Sequence, residues 1–394
     1  MNRAWSDFLQ GLSAALIEAD ETSRRRHLRP LGRGVGGRVH LEDGRVLVDV
    51  SSNDYLGLAL HPLVRTRAAD YAQRLGGSAP ASRLVTGTLP EHLLVEQRLA
   101  AFKRADAALL FASGYQANSS VLPALIGLMA GPVKVFADRL NHASLHAGLA
   151  QADVRQIRFR HNDLDHLERQ LQAIDNQGKT RLIVTESVFS MDADRADLAG
   201  LVSLADRYDA ILYIDEAHAT GVLGPRGAGL CAAMPKGAPV IVMGTLGKAL
   251  GGFGAYVAGP RTLIDALVQR CGGFIYSTAP PPAALGALDA ALDLVPGMDA
   301  ERERLLRNAA RVRAAAEARD LPTFGASTQI VPVGLGSETR ALNAAQMFEE
   351  AGLLAVAIRP PTVAEGASRL RLSLSAAHDD AVIDRLVEAI GVIR

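Results

Sequence analysis

The chain has 394 residues, 48% of them apolar and 21% charged, and its 42 Lys and Arg balance 42 Asp and Glu. These values are typical of a globular protein with a large buried core, and they argue against a disordered or membrane-spanning chain. The zero net charge gives no electrostatic signature for binding nucleic acid. The two cysteines have neither metal-ligand nor disulfide-framework spacing, so no metal site is expected and a reducing compartment is favoured.

The N-terminal region predicts an amphipathic helix over 4–20, followed by a basic run over 23–29 and a Gly-rich turn. Acidic residues interrupt the first 20 positions, and the region has neither the apolar core nor the cleavage site of a secretory signal. The apolar stretches 121–130 and 239–258 are too short, or too broken by Gly, Pro and Lys, to span a bilayer. We therefore expect a soluble cytoplasmic protein without membrane contact.

Residues 38–50 predict a hairpin that turns at Asp43-Gly44, because alternating apolar residues flank this pair. Just before it, GRGVGG at 32–37 matches the G-x-G-x-x-G pattern of dinucleotide-binding sites. That pattern has its function only between a strand and a helix, whereas here it follows a basic run and Pro30. We interpret 32–37 as a loop.

Between residues 90 and 270, short apolar runs alternate with segments of helical periodicity. Strands that are apolar on both faces and separated by helices favour a largely parallel sheet covered by helices, so the expected fold class is α/β. The predicted helices are 90–103, 163–175 and 197–209, and the predicted strands are 107–111, 133–137, 154–159, 181–185, 211–215, 240–243 and 254–258.

The C-terminal part has a different pattern. Helices near 281–295 and 299–318 lead to strand-like segments 329–333 and 369–374 and to a last helix near 379–393. We predict a smaller α+β domain over 286–394, a large α/β domain over 51–285, and an N-terminal helix and hairpin over 1–50.

Lys248 lies in the segment GTLGKALGG, 244–252, directly after the apolar run 240–243. A lysine in a crowded apolar setting loses its proton more readily and becomes a nucleophile that forms Schiff bases. The surrounding glycines are expected to let the backbone approach a bulky ligand. The alternatives are an ordinary turn and a phosphate-binding P-loop; a P-loop requires Gly at 242 and Ser or Thr at 249, where the chain has Val242 and Ala249.

Asp215 and His218 belong to the segment DEAH, 215–218, which follows an apolar strand. The carboxyl ends of strands form the ligand crevice of an α/β sheet, so both side chains are expected to face it. A carboxylate there holds a pyridine nitrogen protonated, and His218 is a candidate to hydrogen-bond the phenolic oxygen of the same ring. The alternative is an ATPase that shares these four letters, but the chain lacks the phosphate-binding loop such an enzyme needs.

A phosphate site is predicted at 109–118, where a strand ends, Ser113-Gly114 turns the chain and a helix begins. Backbone N–H groups and the helix dipole at a helix start attract anions. Thr245, beside Lys248, would add a hydroxyl to the same phosphate. A plain junction between strand and helix is the alternative.

His142 follows another predicted strand, in the segment ADRLNHAS at 137–144. A single histidine is more often exposed or a hydrogen-bonded part of the core. Its place at the carboxyl end of a strand, shared with Asp215 and Lys248, makes it a candidate to stack on a flat ring.

Together these segments resemble the α-oxoamine synthases, enzymes of the aspartate-aminotransferase fold (fold type I) that depend on pyridoxal 5′-phosphate (PLP). The resemblance covers nearly the whole chain. It is carried by SSNDYLGL at 51–58, SRLVTG at 82–87, the Ser-Gly-Tyr turn at 113–115, NHAS at 141–144, TESVFSMD at 185–192, DEAH at 215–218 and the lysine loop at 244–252.

The resemblance implies a role for each matching residue. Lys248 would hold PLP as a Schiff base, Asp215 would pair with the pyridine nitrogen, and His142 would stack on the ring. His218 and Ser190 would contact the side of the ring that carries the oxygen. The implied phosphate contacts are Ser113, Gly114, Tyr115 and Thr245, with Ser277 or Thr278 reaching across from a second subunit.

The resemblance also implies the substrate contacts. Asn53 and Arg371 would bind the carboxylate of the amino acid, and Thr362 would line the site of the acyl donor. A basic residue from the N-terminal run would meet the far end of that donor. Arg24 fits by its place in the arginine triplet and Arg29 by the proline that follows it, so both stay candidates.

The reaction implied by the resemblance is a decarboxylating condensation of an amino acid with an acyl thioester, catalysed by a homodimer with shared active sites. FIYSTAPP at 274–281 and AIRPPTV at 357–363 favour the branch that makes a biotin precursor from L-alanine and a pimeloyl thioester, carried on CoA or on acyl-carrier protein. GTLGK at 244–248 and GTLP at 87–90 keep open the branch that joins glycine to acetyl-CoA, or another acyl donor. Glu216 also departs from the Asp common in the family, next to the catalytic positions.

Overall fold

A computed structural model describes residues 2–174 and 179–393. Two compact units make up the chain: Asn53–Leu306, here called the large unit, and Met1–Ser52 with Arg307–Arg394, here called the small unit. The sequence predicted three parts, 1–50, 51–285 and 286–394, and this division stays a prediction. Its end residues 1 and 394, and the last residue of the predicted helix 163–175, lie outside the described residues.

The α-helices carry the labels used below. They are α1 (Arg3–Glu21), α2 (Pro62–Leu75), α3 (Pro90–Lys103), α4 (Gly114–Leu128), α5 (Ala143–Gln151), α6 (Leu164–Gln172), α7 (Leu198–Arg207), α8 (Arg261–Arg270), α9 (Gly272–Ile275), α10 (Pro282–Leu294), α11 (Asp299–Glu317), α12 (Glu338–Glu350) and α13 (Asp380–Gly391).

The strands are labelled in the same way. They are β1 (Gly32–Arg33), β2 (Arg38–His40), β3 (Val46–Asp49), β4 (Ala79–Ser82), β5 (Ala107–Phe111), β6 (Val133–Asp138), β7 (Gln156–Phe159), β8 (Thr180–Glu186), β9 (Ala210–Asp215), β10 (Val240–Thr245), β11 (Ala255–Gly259), β12 (Thr278–Ala279), β13 (Ile330–Gly336), β14 (Leu353–Leu354), β15 (Ala357–Ile358) and β16 (Ser368–Ser373).

A seven-stranded sheet, in the order β5-β11-β10-β9-β8-β6-β7, forms the centre of the large unit. Strands β10, β9, β8, β6 and β7 are parallel neighbours, which confirms the predicted α/β class and the largely parallel sheet. Strand β11 runs antiparallel to both β10 and β5. The link over 246–254 is shorter than the dozen or so residues that a parallel crossover needs, so the chain returns in the opposite direction.

The sheet is covered by helices on both faces. Along β8, Leu182 and Val184 join one apolar cluster while Ile183 joins the other, because successive side chains of a strand point to opposite faces. Helices α4, α5, α8 and α9 pack into the first cluster, and α6 and α7 into the second. This two-sided burial is the physical reason why the strands read as continuous apolar runs in the sequence.

The carboxyl ends of five strands position the candidate site. Parallel strands end at the same edge of a sheet, so the residues that follow β5, β6, β8, β9 and β10 converge there. These ends are Phe111, Asp138, Glu186, Asp215 and Thr245.

The small unit contains the predicted hairpin, formed by β2 and β3 in antiparallel register. Its turn is closed by a 2.9 Å bond from the Leu41 N–H to the Arg45 carbonyl, and Gly44 adopts a φ of 86° that favours glycine. The segment 32–37 forms β1 and a 3₁₀ turn that lead directly into β2, so it is not the strand-to-helix junction of a dinucleotide site. A second sheet of the unit has the order β13-β16-β15 and is antiparallel.

Some helices were not predicted from the sequence, and α2 shows the reason. It begins after His61, whose ring caps the Leu63 N–H at 3.2 Å, and it buries only Val64 and Tyr71. Two buried residues in a helix of 14 make a weak periodic signal. Across residues 2–174 and 179–393, none of the helices combines the length and the apolarity needed to cross a membrane.

Candidate active site

Lys248 follows β10 and lies in a chain of polar contacts. Its Nζ is 2.9 Å from Nε2 of His218, whose Nδ1 is 2.7 Å from the Tyr55 hydroxyl. The Tyr55 hydroxyl also donates to Oδ1 of Asn53 at 3.0 Å. A hydroxyl has one proton, so the Tyr55 oxygen accepts from His218 Nδ1–H. The predicted residues Lys248, His218 and Asn53 are thus linked through a tyrosine.

Two glycines around Lys248 pack closely against their own unit. A Cβ on Gly251 would lie 2.5 Å from the Ala59 N, and a Cβ on Gly244 would lie 2.4 Å from the Tyr256 hydroxyl. Only glycine therefore lets the lysine loop pack this closely at the two positions. The expectation that the glycines also let the backbone approach a bulky ligand stays a prediction.

Asp215 ends β9 and is only 4% exposed. Its Oδ1 accepts from the Ala217 N–H at 2.8 Å, and its Oδ2 accepts from Nδ2 of Asn118 at 2.9 Å. Two N–H donors on different oxygens hold the carboxylate in one orientation, as a group that pairs with a ring nitrogen requires.

His142 caps the start of α5. Its backbone N–H donates to Oε1 of Glu186 at 2.5 Å, and its Nδ1 is 2.7 Å from the Ser144 hydroxyl. Burial lowers the pKa of His142, the Lys248 and His146 charges lower it further, and Asp215 opposes them. The net lowering of the pKa favours the neutral form of the His142 imidazole.

Glu186 is a buried acid that the sequence analysis quoted in a motif but gave no role. It is 2% exposed and is the cross-strand neighbour of Asp215, with which it is in parallel register. Burial raises the pKa of Glu186 well above its usual value, and the charge of Asp215 adds to this effect. Both effects favour the protonated form of the Glu186 carboxyl.

The start of α4 forms the candidate phosphate cradle. Ser113 is the N-cap, and its Oγ accepts from the Gln116 N–H at 3.1 Å. A Cβ on Gly114 would lie 2.6 Å from Cγ2 of Thr245, so only glycine lets the threonine come this close to the helix start. The N–H groups at the start of the helix, with the Thr245 side chain next to them, are the kind of donors that bind anions, so the phosphate site stays a prediction.

The remaining cofactor candidates lie around this cradle. Ser277 Oγ accepts from Nε2 of Gln116 at 2.6 Å, and Thr278 pairs with Ser82 in the small sheet of β12 and β4. The backbone of Tyr115 belongs to the first turn of α4, whereas its side chain is 55% exposed. Ser190 lies in the segment between β8 and α7.

A buried charged cluster ties the Ser190 segment to the turn after β6. His161 contacts Asp138 through Nδ1 at 3.0 Å and Asp194 through Nε2 at 2.9 Å, and its ring meets the edge of Phe189. Burial by itself lowers the pKa of His161, but the two carboxylates outweigh it and raise the pKa to about 10. His161 is charged at neutral pH and holds the two segments together.

We expect His161→Gln to lower the free energy of unfolding by about 2 kcal/mol near pH 7, a value reduced because solvent partly screens the cluster. The folded pKa lies above the unfolded one, so this stabilisation is fully present below pH 6.5 and is lost as pH rises through about 10. Urea unfolding at pH 7 and pH 10 measures it. The gap between wild type and variant should shrink at pH 10, and an exposed-site control, His27→Gln, should show no such trend.

The predicted substrate residues of the small unit have well-defined partners. Arg24 contacts Glu338 at 2.9 Å and Glu365 at 3.1 Å, and Arg29 contacts Glu349 at 2.6 Å. Thr362 Oγ1 instead accepts from Arg26 at 3.2 Å. Of the two arginines predicted from the sequence, both bind carboxylates, and it is Arg26 that reaches Thr362.

Arg371 lies in β16 and is 7% exposed. Its guanidinium donates to the Ser373 hydroxyl at 2.8 Å, and its carbonyl accepts from the Ser51 hydroxyl at 3.0 Å. Arg371, Thr362, Arg24 and Arg29 belong to the small unit, and Asn53 with all the cofactor candidates belongs to the large unit.

Sequence reasoning missed several polar residues at the site. Tyr55 and Glu186 stood in quoted motifs, and Asn118 and Ser144 ended two quoted segments, yet none received a role. Their usable signal was position: each falls within five residues of a residue already singled out. Tyr213 gave no signal, since an aromatic residue inside an apolar strand predicts core packing.

Known proteins match this chain in both sequence and structure. Residues 45–390 match the family "Aminotransferase class I and II". The chain is 56% identical over 380 residues to the 8-amino-7-oxononanoate synthase of Gluconacetobacter diazotrophicus, covering 95% of each chain.

Two solved structures are similar over most of their length. Serine palmitoyltransferase from S. paucimobilis, with a bound PLP–myriocin aldimine, has a TM-score of 0.90 at 26% identity and covers 98% of this chain and 97% of its own. 8-Amino-7-oxononanoate synthase from Francisella tularensis has a TM-score of 0.74 at 27% identity and covers 88% of this chain and 97% of its own.

Proposed function

Because the chain belongs to the class I and II aminotransferase family, close to the 8-amino-7-oxononanoate synthases among its α-oxoamine synthases, we propose that it joins L-alanine to a pimeloyl thioester. The products are 8-amino-7-oxononanoate, carbon dioxide and the free thiol, a step of biotin synthesis. The supporting observation is 56% identity, over 380 residues, to a synthase of that name. The enzyme is a PLP-dependent transferase of the acyltransferase type, with the fold of its PLP-bound structural neighbours.

The residues at the sheet edge fit PLP. When bound, the cofactor supplies an electron sink for the pair left on Cα of the amino acid after its proton is removed. Asp215, oriented by two N–H donors, would keep the pyridine nitrogen protonated. The α4 start with Ser113, Gly114, Tyr115 and Thr245 would hold the phosphate, with Ser277 or Thr278 as further donors, and His218 and Ser190 would meet the ring oxygen.

Lys248 would both bind the cofactor and move the proton. Its amine has Nε2 of His218 as a partner at 2.9 Å, which holds the amine in place when it is free of the cofactor. A free, neutral amine at that position takes the α-proton from the substrate and later returns one to Cα. Neutral His142 would lie against the ring and donate to the acyl carbonyl, where negative charge grows during the attack.

The substrate contacts are proposals carried by the family resemblance. Arg371 and Asn53 would bind the alanine carboxylate until it leaves as carbon dioxide, and Thr362 would line the acyl site. The contact between Thr362 and Arg26 adds a third candidate to Arg24 and Arg29 for the far end of the donor. Arg24 and Arg29 each already have a carboxylate partner, which favours Arg26.

We further infer a homodimer with shared active sites, working in the cytoplasm. The large unit carries exposed apolar side chains of the kind that protein interfaces cover, namely Leu84 at 51%, Val85 at 74% and Tyr276 at 87% exposure. Tyr276 directly precedes Ser277 and Thr278, the residues proposed to reach the partner's phosphate site.

The experiment compares two substrate pairs on purified holoenzyme. L-alanine with pimeloyl-CoA should release thiol and give the amino ketone with a kcat/KM about 100-fold or more above that of glycine with acetyl-CoA. Mass spectrometry of the product identifies it, and the mixed pairs show which substrate sets the preference. A reversed order would assign the chain to the glycine branch, which the segment GTLGK at 244–248 favours as the second candidate. Pimeloyl-acyl-carrier protein, run in parallel, decides the carrier.

A further inference from the structure

A continuous chain of hydrogen bonds joins His142 to Asp215 beneath the candidate site. His142 Nδ1 is 2.7 Å from the Ser144 hydroxyl, and Asn118 Nδ2 donates to that hydroxyl at 2.9 Å. The same Asn118 nitrogen donates to Oδ2 of Asp215 at 2.9 Å. Asn118 is fully buried and Ser144 is 1% exposed, so water does not compete for these bonds.

The orientation of the Asn118 amide follows from its partners. Burial raises the pKa of Tyr213 well above its usual value, with a smaller effect from Asp215, so the phenol keeps its proton. That proton goes to Oδ1 of Asn118, which lies 2.9 Å from the Tyr213 oxygen. The Nδ2 side must then face Asp215 and Ser144, and its two N–H groups supply one bond to each.

The proton of the Ser144 hydroxyl is placed by the same reasoning. The Ser144 oxygen accepts from Asn118 and lies 2.7 Å from His142 Nδ1, to which its O–H donates when that nitrogen carries no proton. The Ser144 backbone N–H, which can only donate, also points at His142 Nδ1 at 3.2 Å. Two donors thus converge on one ring nitrogen, which must be unprotonated.

We propose that Ser144 and Asn118 are positioning residues that hold His142 as the neutral Nε2–H tautomer and connect its orientation to the carboxylate of Asp215. The tautomer follows from the contacts alone. Its use, which is to present an N–H donor to the acyl carbonyl, rests on the proposed function.

This arrangement explains how His142 stays a donor without becoming charged. Protonation of Nδ1 would turn an acceptor into a donor, so the bond from the Ser144 backbone N–H would be lost and the Ser144 hydroxyl would have to reverse its role; it is therefore disfavoured. The charged or titratable groups that face the ring are Asp215 from β9, Lys248 from the loop after β10, His146 from α5 and Glu186 from β8. Of these groups, Asp215 is the one that the hydrogen-bond chain through Ser144 and Asn118 reaches. The chain therefore orients His142 and Asp215 together, the two residues proposed to stack on the cofactor ring and to pair with its nitrogen.

The first test reads the tautomer directly in the holoenzyme. With ¹⁵N-labelled histidine, the His142 resonances are assigned by their loss in His142→Asn, and their shifts report which nitrogen carries the proton. Nε2 should be protonated and Nδ1 bare at pH 7. An Nδ1–H tautomer or an imidazolium at that pH would overturn the proposal, whatever substrate the enzyme uses.

The second test removes the hydroxyl with Ser144→Ala. His142 should become a mixture of tautomers, the acid limb of the kcat/KM profile should move to higher pH because Nδ1 loses a donor, and kcat should fall about tenfold. Asn118→Ala is the second variant, and it should also mix the tautomers. Ser119→Ala is the matched control, since this hydroxyl bonds only within its helix, to the Gln116 carbonyl at 3.3 Å. Unchanged tautomer and pH profile in both variants would refute the assignment.

Discussion

Lys248→Ala is expected to lower steady-state turnover by about a thousandfold or more. The variant lacks the one amine that we propose both to bind PLP covalently and to take the proton from Cα, and a positioned base alone contributes about 10²–10⁴-fold. The measurement is the rate of thiol release with L-alanine and pimeloyl-CoA. In parallel, borohydride should fix the cofactor covalently to the wild-type chain, which a mass increase of the denatured protein reports, and should leave the variant chain unlabelled, because it has no lysine Schiff base to reduce.

The matched control is Lys236→Ala, which removes an exposed lysine of the same unit. It should keep both the turnover and the covalent labelling by borohydride. Wild-type turnover in Lys248→Ala would show that the catalytic amine is elsewhere. Loss of the labelling with retained turnover would separate cofactor binding from proton transfer and would limit Lys248 to the first.

Lys103→Met is expected to lower the free energy of unfolding by about 3–5 kcal/mol, because it leaves the Glu216 carboxylate buried without its cation. Lys103 and Glu216 are 1% and 0% exposed, and Nζ lies 2.6 Å from Oε2. Burial alone would lower the pKa of Lys103, but Glu216 reverses this and raises it above its usual value. The pair fixes the segment 215–218 in place, because Glu216 contacts Lys103 through Oε2 and also accepts from the Cys231 N–H at 2.8 Å through Oε1.

Urea unfolding of the holoenzyme measures this effect. Arg74→Met is the control, because Arg74 and Asp70 form an exposed pair whose loss should cost about 1 kcal/mol or less. The double variant Lys103→Met with Glu216→Leu should recover much of the stability, since no charge is then left buried without a partner. A single variant as stable as the wild type would mean that the pair does not anchor the segment.

The sheet and most of the site residues were predictable from local sequence. Strands buried on both faces leave continuous apolar runs, and the polar residue after each run marks a carboxyl end, so Asp215, His142 and Lys248 could be expected at one edge. Ser113-Gly114 was equally visible as a turn between a strand and a helix. The antiparallel direction of β11 was not predicted, although the short link after β10 contained that information.

The partners of those residues could not be predicted because they lie far apart in the chain. Tyr55 contacts His218 across 163 residues, Asn118 contacts Asp215 across 97, and Lys103 contacts Glu216 across 113. Each looked ordinary in its own segment. Glu216 illustrates the limit: its departure from the family's Asp drew attention to catalysis, whereas the structure gives its carboxylate a buried lysine.

The sequence by itself predicted the fold class, the strand ends and the lysine that we propose to carry the chemistry. Burial and turn formation are local physical requirements, and each segment shows them in its own residues. Only the tertiary structure decided the protonation of His142, the orientation of Asp215 and the reason for the glycines around Lys248. These depend on which donors and which atoms come within about 3 Å, and a hydrogen bond is lost when its partners shift by about an ångström. The distance between two such atoms cannot be read from the sequence, because the packing of several strands and helices sets it.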